Sequence, residues 1–241
     1  MLSRLLLTVA LSASISLAQG LPPADNGAPI VVVTEDLANG YVGVQVQNAS
    51  KIPVTAFVLE GQRTGIPPRK GRDTSVRFYD SVLDSHRSPL FKGGKYVVRM
   101  FGPNPPPSDF QRSVSLRAAL FEDGTSWGDR SWVSRLIARR QIVHRELLNC
   151  VQFLTDPGNE HITRHELADK VEDLRAAKLA SATSNEERPL VSAVYKELAT
   201  HLRQGGSADS LMGDEIKLLR SRVSSIEASR TSFVAPAPPT N

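Results

Sequence analysis

The first half of the chain alternates hydrophobic and polar residues with the period of a β-strand. Val42, Val44 and Val46 alternate with glycine and glutamine, so one face of this segment is apolar. Similar runs rich in Val, Phe and Tyr continue to residue 122, separated by Gly, Asn and Pro turn signals. The runs occupy residues 29–34, 41–48, 53–60, 74–80, 95–101 and 113–121. About six or seven short strands without intervening helices predict an antiparallel β-sandwich.

The second half follows a helical period. From about residue 129, apolar residues recur at spacings of three and four, and they predict a first helix of about 25 residues. The turn sequence DPGN at 156–159 ends it. Three further apolar stripes lie at 167–174, 190–202 and 211–226, and the sequence QGG at 204–206 supplies a glycine stop before the last. Four amphipathic helices predict a helical bundle or helical hairpins.

The two patterns meet in the sequence FEDGTSWGDRSW at 121–132. Its DG pair is typical of a tight turn, and Asp129 stands where the helical period begins, as an N-cap residue does. A calcium loop would need oxygen-bearing side chains at alternate positions before Gly124, but Ala119 and Phe121 occupy two of those positions. The segment is therefore interpreted as a joint between sheet and helix, with no metal.

The N-terminus resembles an export signal. A single cation, Arg4, precedes an uncharged run, and Ser16 and Ala18 provide small residues at the −3 and −1 positions of a cleavage site. The apolar run is shorter than the roughly 20 residues that span a bilayer. We therefore expect cleavage after Ala18, a mature chain with no transmembrane segment, and a secreted or periplasmic location.

The net charge and the cysteine count limit the class of partner and the way in which the chain is stabilised. The formal net charge is +4, which becomes +3 when Arg4 leaves with the signal peptide. This balance is mildly basic and predicts no nucleic-acid binding. Cys150 is the one cysteine, so the chain has no internal disulfide. Its folding must therefore depend on packed hydrophobic cores.

Motifs with apparent metal chemistry fail at specific positions. His161 and His165 are four residues apart, but Asp169 stands where a zinc-protease HExxH motif that starts at His165 needs its second histidine. Weak metal binding by the two histidines stays open. An EF-hand loop ending at Glu166 would need a carboxylate where Pro157 stands. We expect no metal site, no cofactor and no catalytic residue. His144 and Cys150 point to different sides of one helix, which predicts a buried, unreactive thiol.

Two surfaces could bind a partner. The sequence FGPNPPPSDF at 101–110 predicts a stiff, exposed loop, which the pattern favours as a rigid spacer. If the chain binds a partner, this loop is the favoured surface, with Pro103, Pro105, Pro106 and Pro107 as the binding residues. Arginines of the first helix compete with this loop, namely Arg135, Arg139 and Arg140. Those arginines could instead pair with the acidic second helix, which carries Glu166, Asp169, Glu172 and Asp173.

The segments VQVQNASKIPVTAF at 44–57 and AALFEDGTSWGD at 118–129 resemble secreted bacterial proteins that have an Ig-like β-sandwich followed by a helical region. The resemblance covers the N-terminal half and the joint, and it implies a fold but no activity. The expected class is α+β in segregated domains, with an Ig-like sandwich and then a helical bundle or hairpins. The expected boundaries are a signal peptide at 1–18, a linker at 19–28, the sandwich at 29–125, the helices at 126–230 and a disordered Pro-rich tail at 231–241.

These patterns predict a non-enzymatic, exported interaction or structural protein of the cell envelope or extracellular space. Its partner would be another envelope or extracellular protein, and the sequence leaves the oligomeric state open. The alternative is an exported hydrolase or metal-dependent enzyme whose site is dispersed along the chain. An enzyme of that kind needs a concave pocket with converging polar groups and perturbed titratable residues.

Overall fold

A computed structural model describes residues 29–37, 41–64, 74–84, 86–101, 111–159, 161–204 and 208–230. These residues form seven β-strands and four α-helices. The strands are β1 (Ile30–Asp36), β2 (Val42–Asn48), β3 (Val54–Thr64), β4 (Thr74–Asp80), β5 (Lys95–Met100), β6 (Gln111–Phe121) and β7 (Ser126–Gly128). The helices are α1 (Arg130–Leu154), α2 (Arg164–Ser181), α3 (Glu187–Gln204) and α4 (Ala208–Arg230). The mixed α+β class and the order of strands before helices are confirmed.

The strands and helices that the hydrophobic pattern predicts are all present, and the sequence missed β7. This strand has three residues and pairs with β6 immediately after the DG turn. At its end Gly128 has φ +102°, and a Cβ there would lie 2.2 Å from the carbonyl oxygen of Arg117. Only glycine fits so close an approach. The predicted signal peptide, linker and tail lie outside the described residues.

The described strands form two antiparallel sheets, with the orders β1-β2-β5 and β4-β3-β6-β7. In the first, Val33 of β1 lies opposite Gln45 of β2, which lies opposite Val97 of β5. The connections from β2 to β3 and from β4 to β5 pass from one sheet to the other. The sequence FKGGKY at 91–96 follows Leu90, which bridges to Val54 of β3, and leads into β5 of the other sheet.

One hydrophobic cluster contains side chains from both sheets. Val44 and Val46 of β2 and Phe57 and Leu59 of β3 belong to it, each at most 1% exposed. The alternation in β2 matches this arrangement, because Val42, Val44, Val46 and Asn48 are buried while the residues between them are partly exposed. The ring of Phe57 stacks on that of Tyr79, with 4.8 Å between their centroids. The apolar face predicted from the sequence is therefore the face that packs against the second sheet.

Helix α1 packs on the opposite face of the β4-β3-β6-β7 sheet. Leu136 is fully buried there against Val58 of β3 and Leu120 of β6, and Trp132 packs at the edge of the same cluster. Farther along, α1 contributes Leu147 to a separate cluster with the other helices. Helix α1 thus packs on the strands at one end and on the other helices farther along.

The residue predicted to start α1 does so. The Oδ1 atom of Asp129 accepts hydrogen bonds from the backbone N–H of Ser131 at 2.7 Å and of Trp132 at 3.4 Å. The hydroxyl of Ser131 and its N–H donate to this carboxylate, and they are the main reason that the pKa of Asp129 is lowered. The prediction that Asp129 is the N-cap of the first helix is confirmed by this geometry.

Candidate functional site

Arg140 lies in a buried ion pair between helix α1 and the β4-β3-β6-β7 sheet. Its Nε donates to Oδ2 of Asp80 at 2.8 Å and its Nη2 to Oδ1 at 3.0 Å. Nη2 also donates to the hydroxyl of Thr55 at 3.1 Å. Arg140 is 2% exposed, so it offers no surface to a partner in this structure. This placement corrects its assignment to the predicted partner-binding arginines.

The other arginines of α1 make different pairs from those expected. Arg135 pairs with Glu186 in the α2–α3 connection, and Arg145 pairs with Glu187 at the start of α3. The acidic residues of α2 pair elsewhere: Asp169 lies 3.0 Å from Arg203 of α3. The expected pairing of α1 arginines with acidic α2 residues is therefore wrong for these residues, whose partners lie on α3 or in the connection that leads to it.

A buried polar cluster lies among the helices around Glu146, which is 1% exposed. Its carboxylate accepts hydrogen bonds from Arg145, Asn149 and the hydroxyl of Tyr195, at 2.6, 3.0 and 2.9 Å. Burial acts to raise the pKa of Glu146, but the three hydrogen bonds outweigh it and the pKa is lowered. The pKa of Tyr195 is raised, mainly by burial. No local pattern in the sequence marks this cluster, because its members come from two helices.

The predicted burial of Cys150 is confirmed. The thiol is fully buried, and burial together with the nearby charge of Glu146 raises its pKa to about 12. His144 does not face it, because the imidazole Nε2 of His144 lies 3.0 Å from Oε1 of Glu227 on α4. A thiol with so high a pKa stays protonated and is a poor nucleophile at neutral pH.

His161 and His165 are both exposed. Glu166 would be the last ligand of an EF-hand loop, but in the structure it completes a capping box with Thr163 at the start of α2. Hydrogen bonds from Thr163, chiefly from its hydroxyl, lower the pKa of Glu166. Among the described residues, no group of three or more His, Cys, Asp and Glu side chains is arranged to hold a metal ion.

The clearest candidate surface lies on β5 and the turn before it. We call it the basic strip and define it as Phe91, Lys92, Lys95, Val97 and Arg99. Phe91 is 59% exposed and Val97 68% exposed, more than any other large hydrophobic residue in the described part of the chain. Lys95, Val97 and Arg99 share the outer face of β5, because Tyr96 and Val98 between them turn toward the core. The strip therefore combines exposed apolar and cationic side chains, three of which share one face of β5.

A depression of about 460 Å³ adjoins the basic strip. Its lining includes Tyr79 and Tyr96, and the guanidinium of Arg87 lies over both rings, at 5.3 and 5.5 Å. Arg87 also pairs with Asp84 at 2.7 Å. Phe91, Lys92 and Lys95 belong to both the depression and the strip.

A second cleft, of about 440 Å³, lies between the end of the sheet and α4. Its lining includes the hydroxyl residues Ser81, Ser225 and Ser229. Each of these hydroxyls donates to a backbone carbonyl nearby, at 3.1, 3.0 and 2.7 Å. Arg222 at the edge of the cleft is already bonded to Glu197 and to the carbonyl of Leu83. These hydroxyl and guanidinium groups are thus engaged within the fold.

The other residues predicted to bind a partner fall into two groups, one outside the described residues and one on α1. Pro103, Pro105, Pro106 and Pro107 lie outside the described residues, so their role stays a prediction. Arg135 and Arg139 lie together on the surface of α1, where their guanidinium groups cover the aromatic rings of Trp132 and Phe78. The sequence did not identify the basic strip, because alternation in KYVVRM marks two faces without showing which face a second sheet covers.

Comparisons of the chain with protein-family models, with curated proteins and with solved structures gave no match. In the described part of the chain, none of the helices has the length and apolar character needed to cross a membrane. Function therefore has to be argued from the geometry of the chain itself.

Proposed function

We propose that this chain is a non-enzymatic interaction protein, exported to the cell envelope or beyond, and that its basic strip binds an acidic partner protein. The observation that carries the proposal is the exposure of Phe91 and Val97 beside cationic side chains. Exposed large hydrophobic residues that cluster on one face are typical of binding surfaces. Aromatic residues in particular are enriched where one protein binds another.

The positive charge of the basic strip indicates the class of partner protein. Lys92, Lys95 and Arg99 are exposed, and Arg87 lines the adjoining depression. Asp84 balances Arg87, which leaves the positive charge of the strip in excess. Complementary potentials steer encounters between proteins and favour the oppositely charged surface. An acidic partner with an apolar side chain that covers Phe91 fits this surface.

For the fold, we propose that the two sheets form an Ig-like sandwich and that the helices form a second domain on its outer face. The strand orders β1-β2-β5 and β4-β3-β6-β7 and the repeated passage of the chain between sheets support this reading. The core shared by both sheets supports it as well. In such a sandwich, the strip would lie on the outward face of the β1-β2-β5 sheet.

Quantitative capture from an envelope fraction tests the proposed function. The bait is the chain from Gln19 onward, and the test variant carries Phe91→Ser with Val97→Ser. A second variant reverses charge with Lys92→Glu and Lys95→Glu. Both variants are expected to lose an acidic protein that the wild type captures, and its capture by the wild type should fall as salt rises.

The matched control carries Leu148→Ser and Leu218→Ser. These leucines are 43% and 42% exposed and lie on α1 and α4, so the control removes the same number of exposed apolar side chains elsewhere. It is expected to capture the partner like the wild type. Equal capture by the strip variants and the wild type would show that the strip is not the binding surface.

A further inference from the structure

Arg139 is a cation that forms no ion pair with any residue in the described part of the chain. Its guanidinium carbon lies 4.1 Å from the centroid of the Phe78 ring, and the guanidinium of Arg135 lies 5.8 Å from the same centroid. Two cations thus converge on one aromatic ring at the edge between α1 and β4. Stacking on the ring occupies the face of a guanidinium and leaves the N–H groups at its edge for acceptors in its own plane.

The nearby carboxylates are engaged with other residues. Both oxygens of Asp80 accept from Arg140, and Oδ1 also accepts from the backbone of Val82 and Leu83. Both oxygens of Glu186 face Arg135. The described residues therefore offer Arg139 no carboxylate of its own.

The Nε atom of Arg139 is buried, and among the described residues it has no hydrogen-bond acceptor. Burial, the largest cause, lowers the pKa of Arg139, which is the direction expected for a charge that is incompletely compensated. A buried donor without an acceptor is unusual in a folded protein and calls for a specific explanation. The Nη1 and Nη2 atoms of Arg139 are not buried in this way, so an external oxyanion would meet the guanidinium at these two atoms.

We propose that Arg139 and Arg135 form a binding site for a phosphate group, built on the rings of Phe78 and Trp132. Arg139 supplies the planar fork of donors that matches two phosphate oxygens. Arg135, held by Glu186 and stacked 3.9 Å from the Trp132 ring, adds positive charge beside it. This site is separate from the basic strip, so it does not depend on the proposed function.

Calorimetric titration of the chain from Gln19 onward with inorganic phosphate, at constant ionic strength, tests the site. The test variant is Arg139→Lys, which keeps the charge and an aliphatic stem over Phe78 but loses the fork. We expect saturable binding by the wild type and binding about tenfold or more weaker in the variant. Arg130→Lys is the matched control, since Arg130 is exposed on the same helix, and it should bind like the wild type.

Melting temperatures in chloride show whether both variants stay folded. If Arg139→Lys fails to fold, Arg135→Lys takes its place, with weaker phosphate binding again expected. Vesicles of phosphatidylglycerol and of phosphatidylcholine show where the bound phosphate group comes from. If the chain binds phosphate and also binds phosphatidylglycerol vesicles in a way that depends on Arg139, the ligand is a lipid headgroup. If it binds phosphate but neither kind of vesicle, the ligand is a soluble phosphate. Absence of saturable phosphate binding, or equal binding by wild type and Arg139→Lys, overturns the proposal.

Discussion

The guanidinium of Arg140 and the carboxylate of Asp80 form two hydrogen bonds, of 2.8 and 3.0 Å, between the middle of α1 and the last residue of β4. The two side chains are 2% and 7% exposed. Desolvation of both charges offsets much of their attraction, so the pair contributes mainly by fixing where α1 lies on the sheet. Removing one partner leaves the other charge buried and unpaired.

Arg140→Ala is therefore expected to lower the free energy of unfolding by about 3–5 kcal/mol. Arg135→Ala is the matched control, because Arg135 forms an exposed pair whose loss should cost about 0–1 kcal/mol. Urea unfolding of both variants measures the difference. Similar losses in the two variants would contradict the structural role assigned to the buried pair.

Glu146 should make stability depend on pH. Because its pKa is lowered in the folded chain, its contribution is complete above the ordinary glutamate pKa of about 4.3 and disappears as the pH falls through the folded pKa. Glu146→Gln should flatten the decline of unfolding free energy between about pH 5 and pH 3. An unchanged slope in this variant would remove Glu146 as a contributor.

Tyr195→Phe tests the same cluster from the other side. The hydroxyl of Tyr195 donates to Glu146 at 2.9 Å in a buried position. Loss of a hydrogen bond to a charged acceptor should cost about 1.5–3 kcal/mol of unfolding free energy at neutral pH. Chemical unfolding measures this loss. The cost should shrink when Glu146 is already Gln, and full additivity of the two changes would indicate that the residues are not coupled.

Cys150 is expected to be unreactive in the folded chain. Its thiol is fully buried, and its pKa is raised to about 12, so very little thiolate forms near neutral pH. Labelling with a thiol reagent should proceed only as fast as the chain opens, and urea should accelerate it. Rapid, complete labelling of the native chain would contradict the burial of this residue.

Two predictions come from segments outside the described residues. The first is cleavage after Ala18, which mass spectrometry of the secreted or periplasmic protein should detect as a chain beginning with Gln19. An intact Met1 on a cytosolic protein would contradict export.

The second concerns the Pro-rich segment 102–109. Changing Pro105, Pro106 and Pro107 to Gly and Ser is expected to weaken partner capture with little change in melting temperature, because the stiff segment loses little entropy on binding. Unaltered capture would exclude this segment and leave the basic strip as the proposed surface.

Local sequence determined the elements of this fold. Alternation in β2 and the three- and four-residue spacing in α1 follow from backbone geometry, which each segment carries by itself. Asp129 could be identified as an N-cap for the same reason, because the N–H groups that donate to its carboxylate lie within three residues of it. Even the burial of Cys150 followed from its neighbours on one helix.

Tertiary structure decided which residues meet. Asp80 and Arg140 are 60 positions apart, and no local pattern marks either as a member of a buried pair. The acidic partners of Arg135 and Arg145 lie at Glu186 and Glu187, where the folding of α3 against α1 places them. Alternation in β5 separates two faces, but only the packing of the second sheet determines that Val97 is on the exposed one. Long-range packing, which depends on the whole chain, therefore determined the candidate binding surfaces.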